Sequence, residues 1–226
     1  DRLRSRGLGD VYKRQILNIA IPNGVENGIF QLVKVALSSI VAMFGTYQIA
    51  ANGVAQSIWS LAALVGSAMG PVFITVIGQC MGAKDVDQAK CYFSKLIKWS
   101  LVFSIVWNVL VLAITPFILQ FYNLADETKH LIIILVIIHN IANTVVFPIS
   151  GPLSQGLRAT GDVKFTMIVS IASTVGGRLV LSIILALGLH LGVIGIALAM
   201  CGDWTIRAII FYYRYKSNAW TKFEVI

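Results

Sequence analysis

Six long apolar stretches, separated by short polar connections, govern what this chain can become. They run near residues 16–43, 47–78, 93–121, 131–153, 165–189 and 193–213. A bilayer's hydrocarbon core is about 30 Å thick, so a spanning helix needs roughly 20 mostly apolar residues. Each stretch meets that length, and several exceed it, so tilted or kinked helices are expected. Pro22, Pro71, Pro116, Pro148 and Pro152 lie inside or at the ends of the stretches. Proline is tolerated in a membrane helix where neighbouring helices or a cavity satisfy the freed carbonyls. Composition closes the soluble alternative: 57% of residues are apolar and 12% charged, against about 25% charged in soluble domains. The expected fold is an all-α membrane protein of six transmembrane helices.

The connections read as capped turns too short to hold a soluble domain. Asp85-Val86-Asp87-Gln88 has capping-box spacing and is expected to start a short interfacial helix before the third span. Asp126 and Asp162 are placed to cap the fourth and fifth spans. Asp1–Gln15 is polar, rich in Arg and Gly, and lacks the apolar centre of a signal peptide. It reads as a non-native adapter remnant or a disordered basic arm, so the six-helix lobe is taken as 16–226.

The formal net charge is +8, but the basic residues lie between apolar stretches, so the charge signals membrane orientation rather than nucleic acid. One side holds Lys84, Lys90, Lys95, Lys98, Arg158, Lys164, Arg214, Lys216 and Lys222; the other holds Lys129. By the positive-inside bias both termini and the two basic loops are expected in the cytoplasm. Cys80, Cys91 and Cys201 are too scattered for a metal site or an evident disulfide. Phosphate-binding loops, catalytic triads and HExxH are absent from the sequence, so no catalytic residue, metal or cofactor is expected.

Polar side chains at membrane depth are costly and tend to mark pathways or packed partners. In the first span Asn23, Glu26, Asn27, Gln31, Lys34 and Ser38 fall within an arc of roughly 140° at about 100° per residue. That stripe suits the wall of a water-filled cavity, with Glu26 the candidate to exchange a proton or hold a cation and Lys34 to tune it. Interhelical hydrogen bonding is the alternative use. Gln48, Asn52, Gln56 and Ser60 form a second stripe, and His139, Asn140 and Asn143 cluster about a turn before Pro148. These are further cavity-lining candidates, His139 being able to relay protons or simply pack. Asp203 and Arg207 are four apart on one helix face, and Arg178 lies at similar depth on the preceding span, so the three are expected to form a structural charge network.

Several motifs now carry a resemblance. Ile21-Pro22-Asn23-Gly24-Val25-Glu26-Asn27, followed by Phe30-Gln31-Leu32-Val33-Lys34, resembles the seventh helix of MATE (multidrug and toxic compound extrusion) transporters. Gln48-Ile49-Ala50-Ala51-Asn52 is similar to the start of their eighth helix, and Gly78-Gln79 through Gly82-Ala83 to the signature after it. Gly156-Leu157-Arg158-Ala159-Thr160-Gly161-Asp162 resembles the L-R-x-x-x-D loop before helix eleven, and Asp203-Trp204, Arg207, Phe211 and Arg214 the family's ending. The resemblance covers Ile16 to about Lys222. It implies one lobe, helices seven to twelve, of a twelve-helix transporter, whose partners would be the lipid bilayer, an N-terminal six-helix lobe and a small organic substrate. Such proteins exchange a sodium ion or proton for an organic, often cationic, compound by rocking two lobes about a cleft. Two departures stand out: one branch has acids where this chain has Phe30 and Phe147.

The expected function is therefore the C-terminal lobe of a multidrug efflux antiporter in a bacterial cell membrane. A flippase for lipid-linked saccharides is the nearest rival, and it should line its cavity with several arginines; Lys34 is the one basic residue expected there. A non-transporting assembly subunit would have no use for aligned polar stripes, and a membrane enzyme would need convergent catalytic groups.

Overall fold

The computed structural model describes residues 2–122 and 124–222, without the side chains of residues 2–16, 18 and 19. A disordered arm is one expectation for Asp1–Gln15, whereas the described backbone of residues 2–15 is helical and continuous with the first span. Among the described residues there are helices and no strands, and six helical segments are long and apolar enough to cross a membrane.

The first span is α1 (Arg2–Ala42). The second is two helices, α2 (Thr46–Ala62) and α3 (Leu64–Gly82), meeting at Ala63. Helical bonding continues through this joint, with Ala63 N–H donating to the Trp59 carbonyl at 2.8 Å and Ser67 N–H to the Ala63 carbonyl at 2.9 Å. Trp107 Nε1 also donates to the Leu61 carbonyl at 2.9 Å and so pins the joint to the third span.

That third span, α4 (Val86–Gln120), departs from expectation in one respect. Asp85 caps it as expected, accepting from Gln88 N–H at 2.9 Å. No separate interfacial helix precedes it, because α4 runs unbroken for 35 residues, roughly 52 Å. Its first turns, with Lys90, Lys95 and Lys98, overhang a bilayer core of about 30 Å. Gln88 does not reach back either; its side chain accepts from Cys80 Sγ at 3.8 Å.

The fourth span is α5 (Asp126–Val145), a single turn α6 (Phe147–Ser150) and α7 (Pro152–Ala159), so it runs on past Leu153. Pro148 and Pro152 each lack an N–H and crowd the preceding turn, which breaks the helix twice. The fifth begins as α8 (Val163–Ala172) and widens into π-helix at Ser173–Val180 and Ile183–Gly188. The sixth is α9 (Gly192–Lys216), followed by a 3₁₀ turn at Ala219–Lys222. Neither expected acid caps with its side chain: Asp126 lies one residue inside α5, and the Asp162 carboxylate turns to Arg214 Nε at 2.8 Å.

Helix α2 packs beside α5, α3 beside α7, and α4 against α3 and α5. Helix α9 packs along both π segments, and α1 lies against α8. Val33, Leu37 and Val41 of α1 join Ala51, Ile58, Ile132 and Leu135 in one apolar cluster. Phe73, Phe93, Leu153, Phe211 and Trp220 form another towards the basic-loop end. Helix α4 shows the inversion expected in lipid: it buries Ser100, Ser104, Asn108 and Thr115, while Val106 and Phe117 are 65% and 64% exposed.

Candidate functional site

A cavity of about 430 Å³ opens between α1, α3, the broken α6–α7 segment, α8 and α9. Two prolines shape it, Pro71 inside the continuous α3 and Pro152 at the break before α7. Pro71 removes the N–H that would bond the Ser67 carbonyl, and Pro152 does the same for the Pro148 carbonyl. Ser67, Pro71 and Pro152 all line the cavity, as expected where irregular backbone is tolerated in a membrane.

An ion pair crosses this cavity. Arg158 Nη2 of α7 meets both carboxylate oxygens of Glu26 on α1, at 2.7 and 2.6 Å. Its Nη1 donates to Asn23 Oδ1 at 2.7 Å, so Asn23 and Glu26, one turn apart after Pro22, hold one guanidinium together. The Glu26 and Arg158 side chains are mostly buried, and Arg158 Nε has no partner. Sequence reasoning assigned Arg158 to a loop. The extension of the fourth span to Ala159 carries it inward instead, and the L-R-x-x-x-D motif was the signal that marked it. Asp162, at the motif's other end, ties α9 to the start of α8 through Arg214, whose guanidinium also lies 4.4 Å from the Phe165 ring.

On the far wall Arg207 reaches the lining while Asp203 lies behind it, fully buried. Asp203 accepts from Arg207 Nε at 3.0 Å and from Arg178 Nη2 at 2.9 Å, and Ser173 Oγ donates to it as well. The structure thus brings Arg178, Asp203 and Arg207 together. The π-helical widening supports this, because Gly177 within it packs 3.3 to 3.7 Å from Ile206 and Asp203 when measured from an added methyl position. Phe30 stacks 5.0 Å from the Arg178 guanidinium. Phe147 lines the cavity edge-on to Trp204, with ring centroids 5.3 Å apart.

The other sequence-derived candidates divide. Along α1 the polar stripe splits in two. Asn23 and Glu26 turn into the lobe, whereas Asn27 is exposed and Gln31, Lys34 and Ser38 line an open groove on the helix's outer side. Gln48 lines neither cavity nor groove; its Oε1 accepts from Val193 N–H at 3.1 Å and secures the start of α9. Asn52 and Gln56 are half-buried on α2, outside both linings. His139, Asn140 and Asn143 are buried among helices and line neither, which corrects the cavity expectation for them. For Asn143 the reason is partnership across helices: it donates to Asn108 Oδ1 of α4 at 3.0 Å, and Asn108 in turn donates to the Ser104 carbonyl at 2.8 Å, whereas both His139 ring nitrogens are buried without a partner. Ser100, Ser104 and Asn108 recur every four residues, a stripe that sequence reasoning passed over. The expectation that Lys34 alone would be basic in the lining is likewise corrected, since Arg158 and Arg207 lie there, each held by a carboxylate.

Membrane-length helices packed around a polar, charged cavity, one of them broken at prolines, suit a membrane transporter. The MatE family model matches residues 22–184, and the chain belongs to that family of multi-pass membrane transporters. It is 25% identical over 92% of its length to the uncharacterized transporter YisQ of Bacillus subtilis, covering 45% of that protein. It is 27% identical over 70% of its length to the probable multidrug resistance protein NorM of Oceanobacillus iheyensis, covering 35%. The chain therefore spans about half or less of the curated relatives it matches. Among solved structures, a MOP superfamily transporter from Pyrococcus furiosus superposes with a TM-score of 0.81 at 19% identity, over 88% of this chain and 43% of that one. The MATE transporter ClbM superposes with a TM-score of 0.82 at 15% identity, over 97% of this chain and 52% of that one.

Proposed function

We propose that this chain is the C-terminal lobe of an antiporter that exports small organic compounds from a bacterial cell in exchange for protons or sodium ions. Glu26 is its candidate coupling acid. The observation that carries the reading is the Glu26–Arg158 pair across a cavity lined by Pro71 and Pro152. A proton or sodium ion on Glu26 would neutralise the carboxylate and weaken its hold on Arg158. Helix α1 would then be freer to move against α7, which is the kind of differential contact a two-state transporter requires. The exposed polar side of α1, with Gln31, Lys34 and Ser38, suits a water-filled cleft or a second lobe better than lipid. Both termini and the basic loops would face the cytoplasm.

The test is compound accumulation in cells expressing the complete two-lobe protein, with the proton and sodium gradients collapsed in turn. Export should stop when the coupling gradient is lost, and Glu26→Gln should cut ion-driven export at least about tenfold, an effect near 1.4 kcal/mol. Unchanged export and unchanged ion dependence in that variant would remove Glu26 from coupling. Export that survives the loss of both gradients would defeat the antiport reading.

A further inference from the structure

The cavity and the charge cluster behind it hold more positive than negative charge. Glu26 and Asp203 are the two carboxylates, against Arg158, Arg178 and Arg207. Asp203 is shared by two guanidiniums, so one positive charge in that cluster has no carboxylate of its own. The other described acids do not balance it: Asp85, Asp87, Asp126 and Glu127 lie at helix starts, and Asp162 is engaged by Arg214. The Nε atoms of Arg158 and Arg178 are buried without a partner, and Arg178 is only 5% exposed. An uncompensated cation away from water is costly unless something of opposite charge arrives. Polar groups that suit an anion share the wall, namely Ser67, Gln155 and Ser170, and α7 begins there with the positive end of its dipole. Ile74, 46% exposed, and the half-buried Phe147 supply apolar surface on the same wall for the body of a ligand.

We infer that this cavity accepts a small organic anion, its carboxylate, sulfonate or phosphate lying on the side held by Arg158 and Arg207 and its apolar part on Ile74 and Phe147. The inference rests on the export reading and sharpens its substrate class, departing from the organic cations that the family resemblance implies. An organic cation would find one carboxylate on the wall, Glu26, already engaged by Arg158, and would meet the like charge of Arg207 in a medium of low dielectric.

The experiment uses two probes of similar shape and opposite charge, benzenesulfonate and phenyltrimethylammonium. Binding to the purified chain in phosphatidylcholine nanodiscs is measured by equilibrium dialysis, with helix content checked by circular dichroism. Benzenesulfonate should bind at least about tenfold more tightly. Arg207→Gln should weaken it by a similar factor. Glu26→Gln, which removes the competing carboxylate while leaving Arg158 an amide to bond, should strengthen it. A cation site gives the opposite signs: preference for phenyltrimethylammonium, and its loss in Glu26→Gln, would overturn the inference. Failure of a helical, monodisperse chain to bind either probe would overturn it too. Repeating the titration in phosphatidylglycerol nanodiscs separates two sources of the anion. Unchanged benzenesulfonate affinity supports a free organic anion, and competition supports a lipid headgroup; both keep the anionic class. Failure here leaves the export reading standing, because that reading is judged by flux through the two-lobe protein.

Discussion

Asp203 is the residue on which most buried charge in this lobe depends. It is fully buried and holds Arg178, Arg207 and Ser173 at once. Removing one partner from a buried ion pair leaves an uncompensated charge and costs about 3–5 kcal/mol. Asp203→Asn is therefore expected to lower the thermal midpoint of the detergent-solubilised protein sharply, and the double variant with Arg178→Met should recover part of the loss. A midpoint unchanged within error would mean that the three side chains do not depend on one another. The sequence showed that Asp203 and Arg207 could pair, because a spacing of four is local geometry. That Arg158 would turn to Glu26 was not legible, since more than a hundred residues separate them and their meeting depends on how far the fourth span extends.

Among the elements, the π-wound second half of the fifth span is the most specialised. Helix α9 approaches it so closely that a methyl group at Gly195 would lie 2.7 Å from the Ala186 nitrogen and the Leu185 carbonyl carbon. Backbone cannot yield as a side chain can, so Gly195→Ala should destabilise by about 1–3 kcal/mol, the usual cost of overpacking. Gly177→Ala is the control: its nearest contact would be the end of the Ile206 side chain at 3.3 Å, which can move. Thermal melts of the two variants should separate, and equal midpoints would contradict the close approach. The existence of six spans was legible because length and apolarity are additive along a chain. The breaks at Ala63, Val146 and Gly151 were only half legible. Proline marks the last two, but no proline lies at Ala63, where α2, packed beside α5, meets α3, packed beside α7.

Around its buried apolar clusters the molecule also turns many large apolar groups outward. Val106, Phe117 and Tyr213 are each more than half exposed, while serines, asparagines and charged pairs are inside. Transferred to plain buffer, the chain should aggregate, and it should become monodisperse only in detergent or lipid; light scattering would settle this, and a stable monomer in buffer would contradict the membrane reading. Orientation can be checked with native Cys91, which is exposed on the first turns of α4 beside Lys90 and Lys95. An impermeant maleimide should label it in inside-out vesicles and not in intact cells; the reverse pattern would invert the proposed topology. The buried Cys80 should remain unlabelled from either side.

Composition and the lengths of the apolar stretches dictated a six-span helical membrane protein, because the cost of placing a side chain in lipid or water is paid residue by residue and needs no knowledge of neighbours. Local spacing likewise announced the Asp85 cap and the Asp203–Arg207 pair. Which polar groups meet could be decided only by packing. One face of α1 serves two surroundings, Glu26 bonding inward and Lys34 lying in an open groove, and His139 and Asn143 lie among helices rather than at a cavity. Helix periodicity gives the direction of a side chain about its own axis, whereas its partner depends on the positions of other helices, which contacts far apart in the chain determine.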